Sequence, residues 1–201
     1  MQPFSVVLVA IAVTGLGAAF ILSRRADFMS INTDWGMVAD RFGLGLRPTD
    51  GWSDPAIRGR VDDLEVAVDV VRGRWTSTGS RRRTRYRVAF PALGADLRIF
   101  RENAAAPSGV PAEEDFYRLF TIRTAHRAEA YALVSAEVRL GLLALAAAHP
   151  QISVRDDAVR AWSGSLETDP ATMVATLEWT LSVARHLRRA AHVHAAASGP
   201  M

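Results

Sequence analysis

The chain has 201 residues, 49% of them apolar and 22% charged, with a formal net charge of +3; this is the balance of a folded domain and excludes wholesale disorder. It has no cysteine, which excludes disulfides, thiolate metal sites, a cysteine nucleophile and acylation of a cysteine. It has no lysine either, all 24 cationic side chains being arginine, which excludes a P-loop lysine, a Schiff base and a Ser-Lys dyad.

Residues Phe4 to Leu22 carry no charge, and Ser5 and Thr14 are their only polar members. At 1.5 Å per residue, a helix of that length spans about 28 Å, close to the hydrocarbon thickness of a bilayer. Residues 1–25 are therefore expected to be a transmembrane anchor that contacts the membrane through residues 4–22. No cation precedes the apolar run and no small-x-small site follows it, which argues against a cleavable signal. Arg24 and Arg25 lie just after the run. The positive-inside rule then places the N-terminus outside and the soluble domain, 26–194, in the cytoplasm, as a single-pass protein of a bacterial inner membrane.

Thr33-Asp34 reads as the start of a short helix with Trp35, Val38, Ala39 and Phe42 on one face and Gly43 as its stop. Gly45 to Gly51 reads as a loop. The period then changes to two. Ile57, Gly59 and Val61 lead into Asp62-Asp63, and Leu64, Val66, Val68 and Val70 follow, which predicts a hairpin turning on the paired acids. A third strand is expected over Arg83–Phe90 and a fourth over Ala95–Arg101, with Pro91 and Gly94 bracketing the turn between them. Residues 103–114 read as a loop, and Tyr117–Thr124 as a further strand.

Ala128–Ala148 is expected to be one long helix with Tyr131, Val134, Val138, Leu142 and Leu145 as its buried stripe. A second hairpin, Ile152–Trp162, turns on Asp156-Asp157. Asp169-Pro170 marks a helix start, with Asp as N-cap and Pro at the first helical position. Met173, Leu177, Leu181, Ala184 and Leu187 face inward along that helix, and residues 195–201 form a tail. The expected fold class is therefore α+β: an N-terminal transmembrane helix, then an antiparallel sheet with two long helices packed on one face.

Searches for chemistry return little. HExxH is absent, and His192-Val193-His194 lacks helical ligand spacing and a nearby carboxylate. Ser163-Gly164-Ser165 lacks the flanking glycines of a nucleophile elbow. Gly15-Leu-Gly17 and Gly43-Leu-Gly45 are not dinucleotide fingerprints. The acids at 62–63 and 156–157 suit turns better than acid–base catalysis. No catalytic residue, metal site or cofactor is assigned.

One cluster stands out. Arg81, Arg83, Arg85 and Arg87 fall on one face of an extended segment, where guanidinium groups suit phosphates and anionic lipid. The simpler reading is a solvated sheet face, with Glu65 and Asp69 of the neighbouring strand pairing across to some of them.

The layout resembles bacterial membrane-anchored proteins of unknown function with a small α+β domain. The features that carry the resemblance are Trp35…Ala39 running to Gly43-Leu44, the Gly59…Asp-Asp hairpin, the Thr84-Arg85-Tyr86 strand, and Asp115-Phe116-Tyr117-x-x-Phe120 before a Leu-rich helix. It covers most of residues 35–190 and implies fold class and a bacterial source, with no activity and no functional residues. The expected function is a membrane-tethered, non-enzymatic interaction or scaffold domain with a protein partner, self-association included. The alternatives are an anionic-ligand module, for a lipid head group or nucleotide, built on Arg81–Arg87, and an enzyme without a recognisable motif. A net charge this close to neutral does not point to nucleic acid.

Overall fold

A computed structural model describes residues 26–50, 52–76, 79–101, 113–125 and 131–197. Residues 26–42 form helix α1, which starts upstream of the expected Thr33-Asp34 cap. The Thr33 hydroxyl donates back to the Met29 carbonyl, 2.9 Å away, inside the helix. The helix ends as predicted at Gly43, whose φ of 64° suits a residue without Cβ. Leu44 N–H bonds to the Ala39 carbonyl at 2.8 Å and Gly43 N–H to the Asp40 carbonyl at 3.2 Å. This paired closure satisfies carbonyls that the helix end would otherwise leave open.

The strands are β1 (Gly45–Arg47), β2 (Ala56–Val61), β3 (Leu64–Thr76), β4 (Gly79–Ala89), β5 (Arg98–Arg101), β6 (Phe120–Arg123), β7 (Gln151–Arg155) and β8 (Ala158–Trp162). They form one antiparallel sheet in the order β1-β2-β3-β4-β8-β7-β5-β6. The remaining helices are α2 (Glu113–Leu119), a turn ending at 133, α3 (Ala136–Ala148) and α4 (Pro170–Ala197).

Asp62 and Asp63 close the β2–β3 hairpin with φ of 49° and 64°, the conformation of a two-residue turn that follows strand twist. At the start of α4 the Asp169 carboxylate accepts from Ala171 and Thr172 N–H at 3.2 and 3.0 Å. The Thr172 hydroxyl donates to it as well, and that bond first, then the backbone bonds, favour the charged form and hold its pKa below the ordinary carboxylate value.

The expected fold class needs correction. No helix among the described residues is long and apolar enough to cross a membrane. The apolar run 4–22 and its flank Arg24-Arg25 lie outside the described residues. The fold that stands is α+β, with an eight-stranded antiparallel sheet.

Local readings also change. The expected loop from Gly45 contains β1, which pairs with β2. The expected strand from Tyr117 begins instead as α2, because Phe116 and Leu119 share a helical stripe, 0% and 2% exposed, and the strand β6 takes over at Phe120. The expected long helix from Ala128 is broken at Val134-Ser135, where Ser135 caps α3. Tyr131, expected inside, is 46% exposed. The third and fourth expected strands are not neighbours: β8 and β7 lie between β4 and β5.

Cross-strand rows show how the sheet divides. One row runs Leu46, Ile57, Val68, Tyr86, Ala161, Ile152. Another runs Gly59, Val66, Val88, Val159, Val154, Ile99, Ile122. These side chains point to the face that the helices cover. Gly36 of α1 lies by Leu46, α4 packs on β4 and β8, and α3 packs on β7 and on α4. The core is built here, with Trp35, Phe116, Leu142, Met173 and Leu177 fully buried. Burial of an aliphatic side chain of this size stabilises by roughly 1.5–3 kcal/mol.

The α3–α4 contact is close at Gly141. A Cβ there would stand 2.5 Å from Val183 Cγ2, and Val183 is itself fully buried. Alanine would gain about 1 kcal/mol of helix propensity, but the overpacking costs about 1–3 kcal/mol. We therefore expect Gly141→Ala to lower the melting temperature and Gly141→Ala/Val183→Ala to recover part of the loss. A Gly141→Ala variant at or above the native melting temperature would show that the helices separate freely.

Candidate functional site

The alternate side chains of the same strands point away from the helices. One row reads Arg47, Ala56, Asp69, Arg85, Trp162, Gln151. The next reads Gly45, Arg58, Ala67, Arg87, Arg160, Ser153, Phe100, Thr121. A third reads Arg60, Glu65, Ala89, Ala158, Arg155, Arg98, Arg123. No helix among the described residues covers this face, and arginine dominates it.

Arg83, Arg85 and Arg87 of the sequence cluster all lie on this face of β4. Arg81 belongs to the same strand. Asp69 holds Arg85 through two bonds, Nε to Oδ1 at 2.9 Å and an Nη to Oδ2 at 2.7 Å, a bidentate fork that raises the Arg85 pKa. Arg87 stands 3.9 Å from both Glu65 and Asp157. The expected cross-strand pairing to Glu65 and Asp69 is thus present, and Arg83 has no ion pair among the described residues.

The structure adds Arg58, Arg160, Arg155, Arg98 and Arg123 to the same face. Each lies in an alternating strand, so its side of the strand was readable. Membership of one surface was not, because it depends on β7–β8 inserting beside β4.

The paired acids have duties beyond their turns. Asp62 pairs with Arg185, and its carbonyl accepts from Arg188 at 3.2 Å, tying the β2–β3 turn to α4. Asp156 accepts from the backbone N–H groups of Gly94, Ala95 and Leu97 at 3.0, 3.2 and 3.3 Å, folding the 91–97 segment back on the β7–β8 turn. Among the described residues no group of three or more His, Asp or Glu is arranged to hold a metal ion.

On the covered face, a cleft of about 190 Å³ lies between α3 and α4, lined by Ala144, Ala148, Thr172 and Trp179. His149 lies at its inner end and is 2% exposed. Its Nε2 is 2.7 Å from Thr176 Oγ1. That hydroxyl donates its proton to the Thr172 carbonyl, so His149 Nε2 must carry the hydrogen and Nδ1 the lone pair. Burial lowers the His149 pKa to about 4 and raises that of Tyr86, whose ring centroid lies 5.7 Å away. Arg101 donates to the Ala146 and His149 carbonyls, closing the C-terminal end of α3.

No family model matches the chain, and no curated protein matches it. Among solved structures it is similar to the mycobacterial trehalose monomycolate transport factor A, TtfA, with a TM-score of 0.51 and 8% identity. The match covers 79% of this chain and 94% of that one. A likeness at that identity is one of fold.

The buried histidine makes stability depend on pH. An exposed imidazole titrates near 6.5, and His149 in the fold near 4. As pH falls the unfolded chain takes up this proton first. The histidine's contribution is therefore complete above about pH 6.5 and is lost as pH falls toward 4, a change of about 3 kcal/mol. Urea unfolding of His149→Gln at pH 7 and pH 4.5 should show a smaller acid loss than the native chain. Equal losses would place the proton elsewhere.

Proposed function

We propose that this chain is a non-enzymatic accessory domain that works by binding a protein partner across the arginine face of its sheet. The observation that carries the reading is the one-sided packing: the described helices sit on the apolar rows, and the arginine rows are left without a helix. Seven inter-strand steps make that face about 34 Å wide. Trp162 and Phe100 lie half-buried among its guanidinium groups, and Trp and Arg are residue types that concentrate binding energy at interfaces. The partner surface that complements such a face is acidic. The fold shared with a protein titled a transport factor is consistent with an accessory role.

Site-specific crosslinking in cells tests this reading. A photoreactive residue at Ser153 or at Arg58, both on the arginine face, should yield one common adduct. The same residue at Met37 or Leu140, exposed on α1 and α3, should not yield it, and Arg58→Glu should reduce the Ser153 adduct several-fold. A self-adduct would make the partner a second copy of this chain. Adducts only from the helix side, or equally from both sides, would overturn the reading.

A further inference from the structure

Among the described residues, arginine stands directly opposite arginine at three places in the sheet. Like charges in cross-strand register destabilise a sheet, so each place needs an anion. At Arg72↔Arg82, Asp54 supplies it, with its two oxygens 3.0 Å from Arg72 and 3.5 Å from Arg82. At Arg87↔Arg160, Asp157 supplies it, 3.9 Å from one and 3.3 Å from the other. In both cases one carboxylate bridges two guanidinium groups.

The third place is larger and has no bridge among the described residues. Arg155, Arg98 and Arg123 stand in one row across β7, β5 and β6, about 4.8 Å from strand to strand. Asp96 pairs with Arg98 at 3.0 Å and has no ion pair to either neighbour among the described residues. Arg155 has no ion pair among them, and the Arg123 guanidinium lies 4.9 Å from the Phe100 ring centroid. Three cations against one carboxylate leave two positive charges on the row.

We infer that this row is a binding site for a phosphate monoester, which takes the place that Asp54 and Asp157 fill at the other two. A second carboxylate brings one charge and two oxygens, enough for two arginines. A phosphate monoester brings close to two charges and three strong acceptor oxygens, enough for three planar forks. Arg123 also lines a cleft of about 350 Å³ at the β6 edge, with Ile122, Thr124 and Tyr131, so the row ends at the β6 edge beside that cleft. The row is one phosphate wide, so it suits a single headgroup or small metabolite.

The test uses the purified full chain alone, so its outcome is separate from that of the protein-partner reading. Thermal unfolding is measured in glycerol phosphate and in chloride at equal ionic strength. Sedimentation is measured with vesicles of phosphatidylcholine, with and without phosphatidic acid. The native chain should melt higher in the phosphate ester, or should bind only the vesicles that carry phosphatidic acid. The first result assigns a soluble ester and the second a lipid headgroup. Arg155→Gln and Arg123→Gln should weaken that binding at least about tenfold, the loss expected for a charge-assisted pair.

In chloride, Arg155→Gln should melt at or above the native temperature, because it relieves repulsion in an empty row. Arg58→Gln, on the same face outside the row, should bind as the native chain does. The inference falls if neither phosphate source acts, if binding survives both row variants, or if Arg58→Gln weakens it equally. It also falls if Arg155→Gln melts lower in chloride.

Discussion

The pairing of β4 with β8 is the constraint on which the rest of this fold depends. It joins Arg85–Ala89 to Ala158–Trp162, segments some seventy residues apart, and so places the β7–β8 hairpin at the centre of the sheet. Beyond the last ladder pair the contact continues through Thr84, which is fully buried. Thr84 N–H bonds to Ser163 Oγ at 2.9 Å, Ser163 N–H to the Thr84 carbonyl at 2.9 Å, and Glu167 N–H to Thr84 Oγ1 at 2.8 Å. The chain leaving β8 is thereby sewn to β4 until α4 begins. The Trp35 indole then donates to the Glu167 carbonyl at 3.0 Å, which draws α1 to the same point. Buried polar groups left without such partners would cost about 1–3 kcal/mol each, so this small network fixes where both flanking helices sit.

That one pairing also creates the two-sided character of the sheet. Register places every inward residue of one strand beside an inward residue of the next, so the apolar rows become continuous and the helices can cover them. The same register aligns the outward arginines. A sheet with cations in row meets repulsion at each meeting, and the chain answers it locally. On the outward face Asp69 forks Arg85 and Asp157 spans Arg87 and Arg160; on the other face, past the end of the helix-covered rows, Asp54 spans Arg72 and Arg82. The acids do not neutralise the face evenly. They sit toward its β3–β4–β8 middle; at the β7–β5–β6 end Asp96 pairs with Arg98, and Arg155 and Arg123 have no ion pair among the described residues.

Much of this was legible in the residues, for physical reasons that differ by element. Alternation in Leu64–Val70 and Arg83–Phe90 fixes which side faces the core, because side-chain period in a strand is two. Asp62-Asp63 reads as a turn because aspartate tolerates positive φ, and Asp169-Pro170 reads as a helix start through a local cap. What failed depends on distance or on a competing period. The expected strand Tyr117–Thr124 holds over Phe120–Arg123 as β6, but Phe116 and Leu119 bury at helical spacing and make its start part of α2. Ala128–Ala148 looks continuous in hydrophobicity, yet Ser135 offers its side chain as a cap and breaks it. The place of β5 beside β7, and hence the meeting of Arg98, Arg123 and Arg155, rests on contacts between segments that no local pattern links.

The absence of lysine acquires a structural meaning in this light, whatever its compositional origin. A guanidinium presents several N–H donors in a plane. One carboxylate can therefore bond two arginines through different oxygens, as Asp54 does with Arg72 and Arg82. An ammonium concentrates its charge at one strongly hydrated atom, and two of them opposed in a sheet would gain less from a shared carboxylate. Arginine is thus the cation that a sheet can carry in cross-strand rows, provided an acid bridges each meeting. Where no described residue supplies the bridge, as at Arg155, Arg98 and Arg123, the same planar donors that suit a shared carboxylate suit an anion from outside the fold.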